Sequence, residues 1–441
     1  MHIRRDIEPS IIAQLSSSDD QFILFSGARQ TGKTAILEQI AAGRPTLLLN
    51  LWDETREIQA LRSAATLEQF TQYLSAFYQF TPGTGTLLII DEAQGSPHLG
   101  KFLMQMHRTW KGQRVIFSGS LLSHLFTDNV PMPTGRVVEF TLRPLNFKEF
   151  LRFRDKEGHL SLLPPPGSGI SPELHALLLE EYQTYLMIGG MPGIVNTHRT
   201  GGNYQILFES LVNNYYRDAD RYLSGEQTPR AAAVQYGSLL EHCLKSIGRQ
   251  VAFPTTNSSI LSTDSPAYRT LLPRLLDALR SWHLIHVLEY ENRQNTSKRG
   301  YSSKKYLFDT GIMNFLLTRG MPVPVATGDQ TAAQLLENAV CQELVAFAGS
   351  TRAVTCYRSH NKLATELDFV VRTGSSLIPV EVKSGTHITT RSLVQLFDFM
   401  RNHGVRRGFV VYGGMPRVQT IDDHEIWFLP PYCLHAAGDL R

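Results

Sequence analysis

The sequence predicts an α/β fold, and three observations carry that reading. Strand-like and helix-like stretches alternate from the N-terminus to about residue 160, a mostly helical pattern follows, and the alternation returns from about residue 331. Alternation of this kind implies a parallel sheet covered by helices. A chain of 441 residues is too long for one core, so two to four domains are expected. The pattern divides it into 1–160, 171–325 and 331–441.

In the first segment, strands are expected near 22–26, 46–51, 86–91 and 114–118, with a short one at Val137-Val138-Glu139-Phe140. The first runs into Gly27-Ala28-Arg29-Gln30-Thr31-Gly32-Lys33-Thr34, a GxxxxGKT pattern followed by the helix-like Ala35 to Ala42. Gly27 and Gly32 let the chain bend so that successive backbone N–H groups point inward at an anion. Lys33 then reaches the outer phosphates, and the Thr34 hydroxyl can hold Mg²⁺. Its bland alternative, a chance glycine turn, fits poorly between an apolar strand and a helix. A nucleotide, ATP or GTP, is expected here.

Thr86-Leu87-Leu88-Ile89-Ile90-Asp91-Glu92 is a short apolar run ending in two carboxylates, as a buried parallel strand delivers them to the carboxyl edge of a sheet. Asp91 is expected in the Mg²⁺ shell and Glu92 as acceptor of a proton from the attacking water, unless the pair are solvated turn residues. The strand Arg114–Phe117 ends in Ser118-Gly119-Ser120. These hydroxyls either meet a γ-phosphate or its water, or simply form a turn.

Leu142 to Phe150 then reads as a turn entering an amphipathic helix, and Pro164 to Gly169 as a surface loop. In the second segment Gly189-Gly190-Met191-Pro192-Gly193 demands a sharp turn, and helices are expected around 204–216 and 230–247. A helix at Tyr268–Trp282, a strand at Leu284–Tyr290, a polar hairpin at 292–303 and a strand at Lys305–Phe308 suggest a winged helix, although Pro273 would kink or start that helix. Arg293, Lys298, Arg299, Lys304 and Lys305 stand together with no acid between them. Such a tip suits a phosphate backbone, or is a solvated loop.

The third segment opens with a helix carrying Glu337, Asn338 and Glu343, followed by strands near 353–358, 366–372, 377–383 and 407–412. Glu381 and Lys383 share one strand face because residues two apart do so. If the Asp368 strand is their hairpin neighbour, Asp368 and Glu381 converge on a divalent cation and Lys383 lies beside them to orient water or stabilise a scissile phosphate. Glu337, rather than Glu343, would complete the metal shell. This is the pattern of metal-dependent phosphodiester cleavage; its alternative is a half-exposed sheet whose charges pair with each other.

Composition excludes several classes. A hydrophobic content of 42% with 19% charged residues describes a folded soluble protein, and no apolar run approaches the roughly 20 residues of a membrane span. The basic N-terminus lacks an apolar segment of the secretory kind, so the cytoplasm is the expected compartment. Cys243, Cys341, Cys356 and Cys433 show no CxxC spacing and read as reduced core residues. A net charge of +3 permits nucleic-acid binding without predicting it.

Taken together, the phosphate loop, Leu88 to Gln94, Ser118-Gly119-Ser120, Thr134-Gly135-Arg136-Val137, Leu142 to Phe150, Tyr185 to Pro192 and the Asp368/Glu381/Lys383 set resemble a prokaryotic family of AAA-type ATPases fused to a C-terminal domain of unknown function. The resemblance spans nearly the whole chain. It implies an AAA+ core, a winged-helix-like middle, a C-terminal domain similar to the PD-(D/E)xK nucleases, and ATP rather than GTP. By the same analogy Arg136 looks like a γ-phosphate sensor or arginine finger, or else a fold-supporting residue.

The expected function is an ATPase whose nucleotide state changes how the later domains engage DNA, with Mg²⁺-dependent cleavage as a possible output. The alternative is a nucleotide-gated switch that binds DNA or a protein partner and cuts nothing, with self-association open in either case. A small-molecule kinase is the weaker third reading.

Overall fold

The computed structural model describes residues 4–126, 130–164, 168–224, 240–241, 243–247, 266–291, 303–324, 329–358 and 366–434. The chain divides into two compact units, one formed by 1–143 with 281–283 and the other by 144–280 with 284–441. Overall it is α/β, with the alternation observed in the first and last parts and helices alone from Phe147 to Ser281 among the described residues.

The first unit is a five-stranded parallel sheet. Its strands are β1 (Phe22–Gly27), β2 (Thr46–Asn50), β3 (Leu87–Asp91), β4 (Val115–Gly119) and β5 (Val137–Leu142), in the order β2-β3-β4-β1-β5. All pairings are parallel. Alternate residues feed opposite faces, which is why these strands read as continuous apolar runs. Phe22, Leu24, Leu88, Ile90 and Phe117 pack with Phe70, Leu74, Phe102 and Met106 on one side. Ile23, Phe25, Ile89 and Ile116 pack with Ile11, Leu15, Ile36 and Ile40 on the other. Between two such cores the strand ends are fixed, and with them every side chain at the sheet's carboxyl edge.

In the second unit the expected turn into a helix at Leu142–Phe150 is a helix over Phe147–Phe153. A reciprocal capping box starts it: Asn146 accepts from the Glu149 N–H while the Glu149 carboxylate accepts from the Asn146 N–H. The Gly189-Gly190 turn follows the helix Pro172–Ile188 and is held by Asp309, whose Oδ2 accepts from Gly190 N at 2.7 Å while Oδ1 caps the helix Thr310–Thr318 through Ile312 N at 2.9 Å. A Cβ on Gly189 would meet Asp309 Oδ1 at 2.2 Å, so only glycine admits this carboxylate.

A helix spans Pro266–Ser281 with Pro273 inside it rather than at its start. It precedes β6 (Ile285–Leu288), which pairs antiparallel with β7 (Lys304–Leu307). The basic hairpin tip at Arg293, Lys298 and Arg299 lies outside the described residues, as does most of the helix expected at 230–247. The helix expected at 204–216 runs on to Ser224.

The C-terminal sheet is mixed. Beyond β8 (Val354–Arg358), β9 (Glu366–Thr373), β10 (Ser376–Lys383) and β11 (Arg407–Tyr412) it includes β12 (Arg417–Ile421) and β13 (His424–Leu429), in the order β12-β13-β11-β10-β9-β8. β9 and β10 form the anticipated antiparallel hairpin, with Phe369 opposite Val380 and a tight turn at Gly374, whose φ is 60°. The helix Gln330–Ala348 packs on these two strands. All four cysteines are buried and free. Among the described residues no helix is long and apolar enough to cross a membrane.

Candidate functional site

The phosphate loop leaves β1 at the middle of its sheet. Gly27 passes so close to β5 that a Cβ there would sit 2.4 Å from Leu142 O. Gln30 and Gly32 take φ of 62° and 95°, and the helix Lys33–Ala42 starts at once, turning its free N–H groups toward the loop. The loop closes on itself through Thr31 Oγ1, which donates to Ala28 O at 2.8 Å. Lys33 Nζ donates to Gly27 O and Ala28 O, both at 2.9 Å. Burial lowers its pKa, against the opposing pull of Glu92 and Asp91. Backbone carbonyls are neutral acceptors, so a phosphate oxygen would be the stronger partner for this ammonium.

Thr34 Oγ1 donates to Asp91 Oδ2 at 2.9 Å. Asp91 is 1% exposed, and its Oδ1 accepts from Glu92 N at 3.0 Å. The parallel strands thus bring together a hydroxyl and a carboxylate 57 residues apart in sequence. They are hard oxygen donors, the kind that Mg²⁺ carried on a nucleotide takes. Glu92 turns away through a left-handed backbone, φ 50° and ψ 44°, and its Oε2 accepts from Gln94 Nε2. Burial raises the pKa of Glu92 and the Gln94 bond opposes the rise. A carboxylate so placed is a stronger base than one in water.

Ser118 and Ser120 at the end of β4 are buried, and among the described residues their hydroxyls have no hydrogen-bond partner. Buried orphan hydroxyls are costly, which favours their reading as ligand contacts over turn formers. Between them Gly119 lies against Gln94, whose Oε1 a Cβ would meet at 2.1 Å. Arg29 extends its guanidinium over the exposed Trp52 ring, 5.5 Å from the centroid.

Arg136 is placed differently from its expected sensor role. It precedes β5, opposite the start of β1, whereas the loop leaves at the Gly27–Leu142 end of the same pairing. Five strand residues separate the two edges, about 17 Å at 3.3 Å per residue. Arg136 therefore lies beyond reach of a nucleotide held by its own loop, and its guanidinium contacts Met104 Sδ at 3.7 Å.

Sequence reasoning missed several residues here. Arg5, 3% exposed, donates from one guanidinium nitrogen to Thr31 O at 3.1 Å and from the other to Arg143 O at 2.7 Å, clamping the loop to the exit of β5. Arg143, one residue past β5, occupies the edge where Arg136 was expected. His283 also belongs to this unit; burial, then the charges of Lys33 and Arg143, push its imidazole down to about 4, so it is neutral at pH 7. The signal for Arg5 was an arginine beside an apolar helix start, too common to single out.

The C-terminal set converges in part. Asp368 Oδ2 accepts from Val382 N at 2.9 Å, which ties it across the hairpin to the strand of Glu381 and Lys383. Glu381 is 2% exposed and its Oε1 is paired with Lys383 Nζ. Its carboxyl is pushed up to about 8, by burial first and then by the charge of Asp368, with Lys383 opposing. Glu343 accepts from Phe147 N at 2.8 Å and is thereby a structural residue.

The expected metal shell of Glu337, Asp368 and Glu381 is not formed. Among the described residues no three His, Cys, Asp or Glu side chains converge as metal ligands do. The reason is Lys304 at the start of β7. Its Nζ lies 2.8 Å from Glu366 Oε1, 3.1 Å from Glu337 Oε1 and 3.5 Å from Asp368 Oδ1. Burial opposes its charge, yet Glu337, Asp368 and Glu366 hold the ammonium well above its ordinary range. Tyr306 OH donates to Glu337 Oε1 at 2.7 Å and Tyr290 OH to Glu366 Oε1 at 3.2 Å.

Residues 19–151 match the family described as an AAA domain. Residues 19–151 are thus similar to AAA-type P-loop domains. Downstream of that match, residues 179–322 and 332–433 match two families of unknown function, DUF8612 and DUF4143. An uncharacterized protein of Haemophilus influenzae is 23% identical over 399 residues, covering 85% of this chain and 86% of that protein. Among solved structures, the Walker-type ATPase PABY2304 of Pyrococcus abyssi is 16% identical, with 71% of this chain and 95% of that one covered at a TM-score of 0.41. The ORC1 protein of Aeropyrum pernix, solved in complex with DNA, is 12% identical, with 72% and 93% covered at a TM-score of 0.28. These two structural likenesses are too low to bear on function.

Proposed function

We propose that this protein binds ATP with Mg²⁺ at the Gly27–Thr34 loop and hydrolyses it. The observation that carries the reading is the Thr34 Oγ1–Asp91 Oδ2 bond of 2.9 Å at the mouth of the loop. Bound Mg²⁺ would neutralise charge on the β- and γ-phosphate oxygens. The chain's own part is positioning: backbone N–H groups and Lys33 hold the phosphates, Asp91 and Thr34 face the ion, and Ser118 and Ser120 offer hydroxyls. Glu92, held by Gln94, takes the proton of the attacking water. Purified protein should release phosphate from ATP in Mg²⁺, and Lys33→Ala should abolish the release; undiminished release from that variant would remove the assignment.

We read residues 171–325 and 331–441 as the parts through which nucleotide state is expressed, on DNA or a protein partner, in the cytoplasm. Arg136 is available as an arginine finger only to a neighbouring copy, because it stands about 17 Å from its own loop. The Lys304 ammonium within the carboxylate cluster favours the switch over cleavage: as folded, Asp368, Glu381 and Lys383 lack the open cation position that phosphodiester hydrolysis needs. Plasmid and single-stranded DNA incubated with Mg²⁺ or Mn²⁺ should stay intact with the unaltered chain, and metal-dependent nicking that disappears in Asp368→Ala would reverse this choice.

A further inference from the structure

An exposed ring and a cation meet where β2 leaves the parallel sheet. Trp52, two residues past β2, is 47% exposed at the carboxyl edge. Its surroundings fix it there. Trp52 N donates to Asn50 Oδ1 at 2.9 Å, Leu51 N donates to Asp91 O at 3.0 Å, and a Cβ on Gly95 would stand 3.5 Å from Trp52 Cδ1. Over this ring lies the guanidinium of Arg29, 5.5 Å from the centroid. Arg29 belongs to the loop that leaves β1, and in the order β2-β3-β4-β1 three strand spacings, about 14 Å, separate β1 from β2. Loop and side chain together therefore cross the ends of β4 and β3, where Ser118, Ser120, Asp91 and Glu92 stand. Burial dominates the pKa shifts of Lys33 and Glu92, and the Arg29 charge acts on both. A cation so placed is next to a γ-phosphate held by Lys33, and an exposed aromatic ring holds it less strongly than phosphate oxygens do.

We propose that Arg29 is a catalytic residue, the arginine that this chain supplies to its own γ-phosphate, and that the Trp52 ring is the place it leaves when ATP binds. The proposal rests on ATP hydrolysis at the Gly27–Thr34 loop. In that reaction the water oxygen bonds to the γ-phosphorus, and the water proton passes to Glu92. The bond from the γ-phosphorus to the β–γ bridging oxygen breaks, with its electron pair left on ADP. Negative charge grows on the bridging and γ-oxygens, and the planar guanidinium has N–H donors for both. Arg136, at the opposite edge of the sheet, serves only a neighbouring copy, whereas Arg29 needs none. ADP lacks the oxygens that draw Arg29 from the ring, so with the diphosphate it stays over Trp52.

The test combines fluorescence, binding and rate on the full chain. Trp52 emission is taken as the difference between Glu92→Gln and Glu92→Gln with Trp52→Phe, a background in which ATP persists. It should change on saturation with ATP and Mg²⁺ but not with ADP and Mg²⁺, and adding Arg29→Ala should remove the change. Phosphate release by Arg29→Ala should fall about 10²–10³-fold, with ATP affinity by calorimetry kept within about threefold. Arg29→Gln, which keeps a planar polar end without the charge, should behave as Arg29→Ala does. The rate per chain of the unaltered protein should stay constant on dilution. Three results overturn the proposal: release by Arg29→Ala within about threefold of the unaltered rate, an ATP-specific Trp52 change that persists without Arg29, or a rate per chain that falls both on dilution and in Arg136→Ala. An unaltered chain that binds no ATP overturns the nucleotide reading itself, whereas ATP bound by Arg29→Ala and hydrolysed at the unaltered rate overturns the Arg29 proposal alone.

Discussion

Replacing Glu92 by Gln separates binding from chemistry at the nucleotide site. Glu92 makes one side-chain hydrogen bond, to Gln94, and its backbone N–H serves Asp91. A glutamine at 92 keeps the left-handed turn, keeps an acceptor for Gln94 Nε2 and leaves the Lys33 and Thr34 contacts untouched. ATP affinity should therefore change by no more than a few-fold. What is lost is the base. A positioned general base contributes about 10²–10⁴-fold, so phosphate release should fall by that factor, or about 3–5 kcal/mol of barrier. The pH profile adds a second reading. Burial raises the Glu92 pKa, and a base acts in its deprotonated form. The acid limb of the rate profile should therefore lie above the ordinary carboxylate range in the unaltered protein and be absent from the variant's residual rate. The assay is steady-state phosphate release across pH, beside equilibrium ATP binding. Hydrolysis within about threefold of the unaltered rate refutes the reasoning, as does a loss of binding matching the loss of rate.

Gly27→Ala should lower stability by about 1–3 kcal/mol in denaturant titration, because its Cβ would stand 2.4 Å from Leu142 O, a backbone atom that cannot step aside. Arg5→Ala removes two bonds that clamp the loop and should weaken ATP by about tenfold, measured by calorimetry, while Arg136→Ala in dilute protein should leave ATP affinity unchanged. Asp309 is raised from 3.8 to about 6 by burial, with backbone N–H groups opposing. The fold thus binds its proton more tightly than the unfolded chain does. Stability drawn from Asp309 is greatest below pH 3.8 and is lost as pH rises to about 6, by about 3 kcal/mol at most. Denaturant midpoints across that range should show this fall relative to Asp309→Asn, and parallel pH profiles for the two proteins would contradict it.

The loop of Gly27–Thr34 and the acids at the end of β3 were legible because they are written in short runs. Glycine spacing, apolar strands and terminal acids each obey local rules, and parallel pairing then brought Thr34 to Asp91 as those rules imply. The β9–β10 hairpin was legible for the same reason. Its cation was not. Lys304 meets Asp368 across 64 residues of sequence, and nothing in the local pattern of Lys304-Lys305 distinguishes a buried ammonium from a solvated one. Arg136 failed as a sensor to its own loop because a residue's position along a strand decides which edge of the sheet it serves, and resemblance of motifs does not carry that register. Strand β12 escaped because its exposed edge positions carry none of the alternation that marks a half-buried strand.

The most direct measurement is equilibrium binding of ATP to the nucleotide-free chain in Mg²⁺, with the unaltered protein beside Lys33→Ala. Lys33 makes its two bonds to the neutral carbonyls of Gly27 and Ala28, so exchange of those bonds for charged ones to a phosphate should add about 1.5–3 kcal/mol. The account predicts one saturable site, weakened about 10- to 100-fold in Lys33→Ala. No saturable binding, or equal affinity in the two proteins, would contradict it.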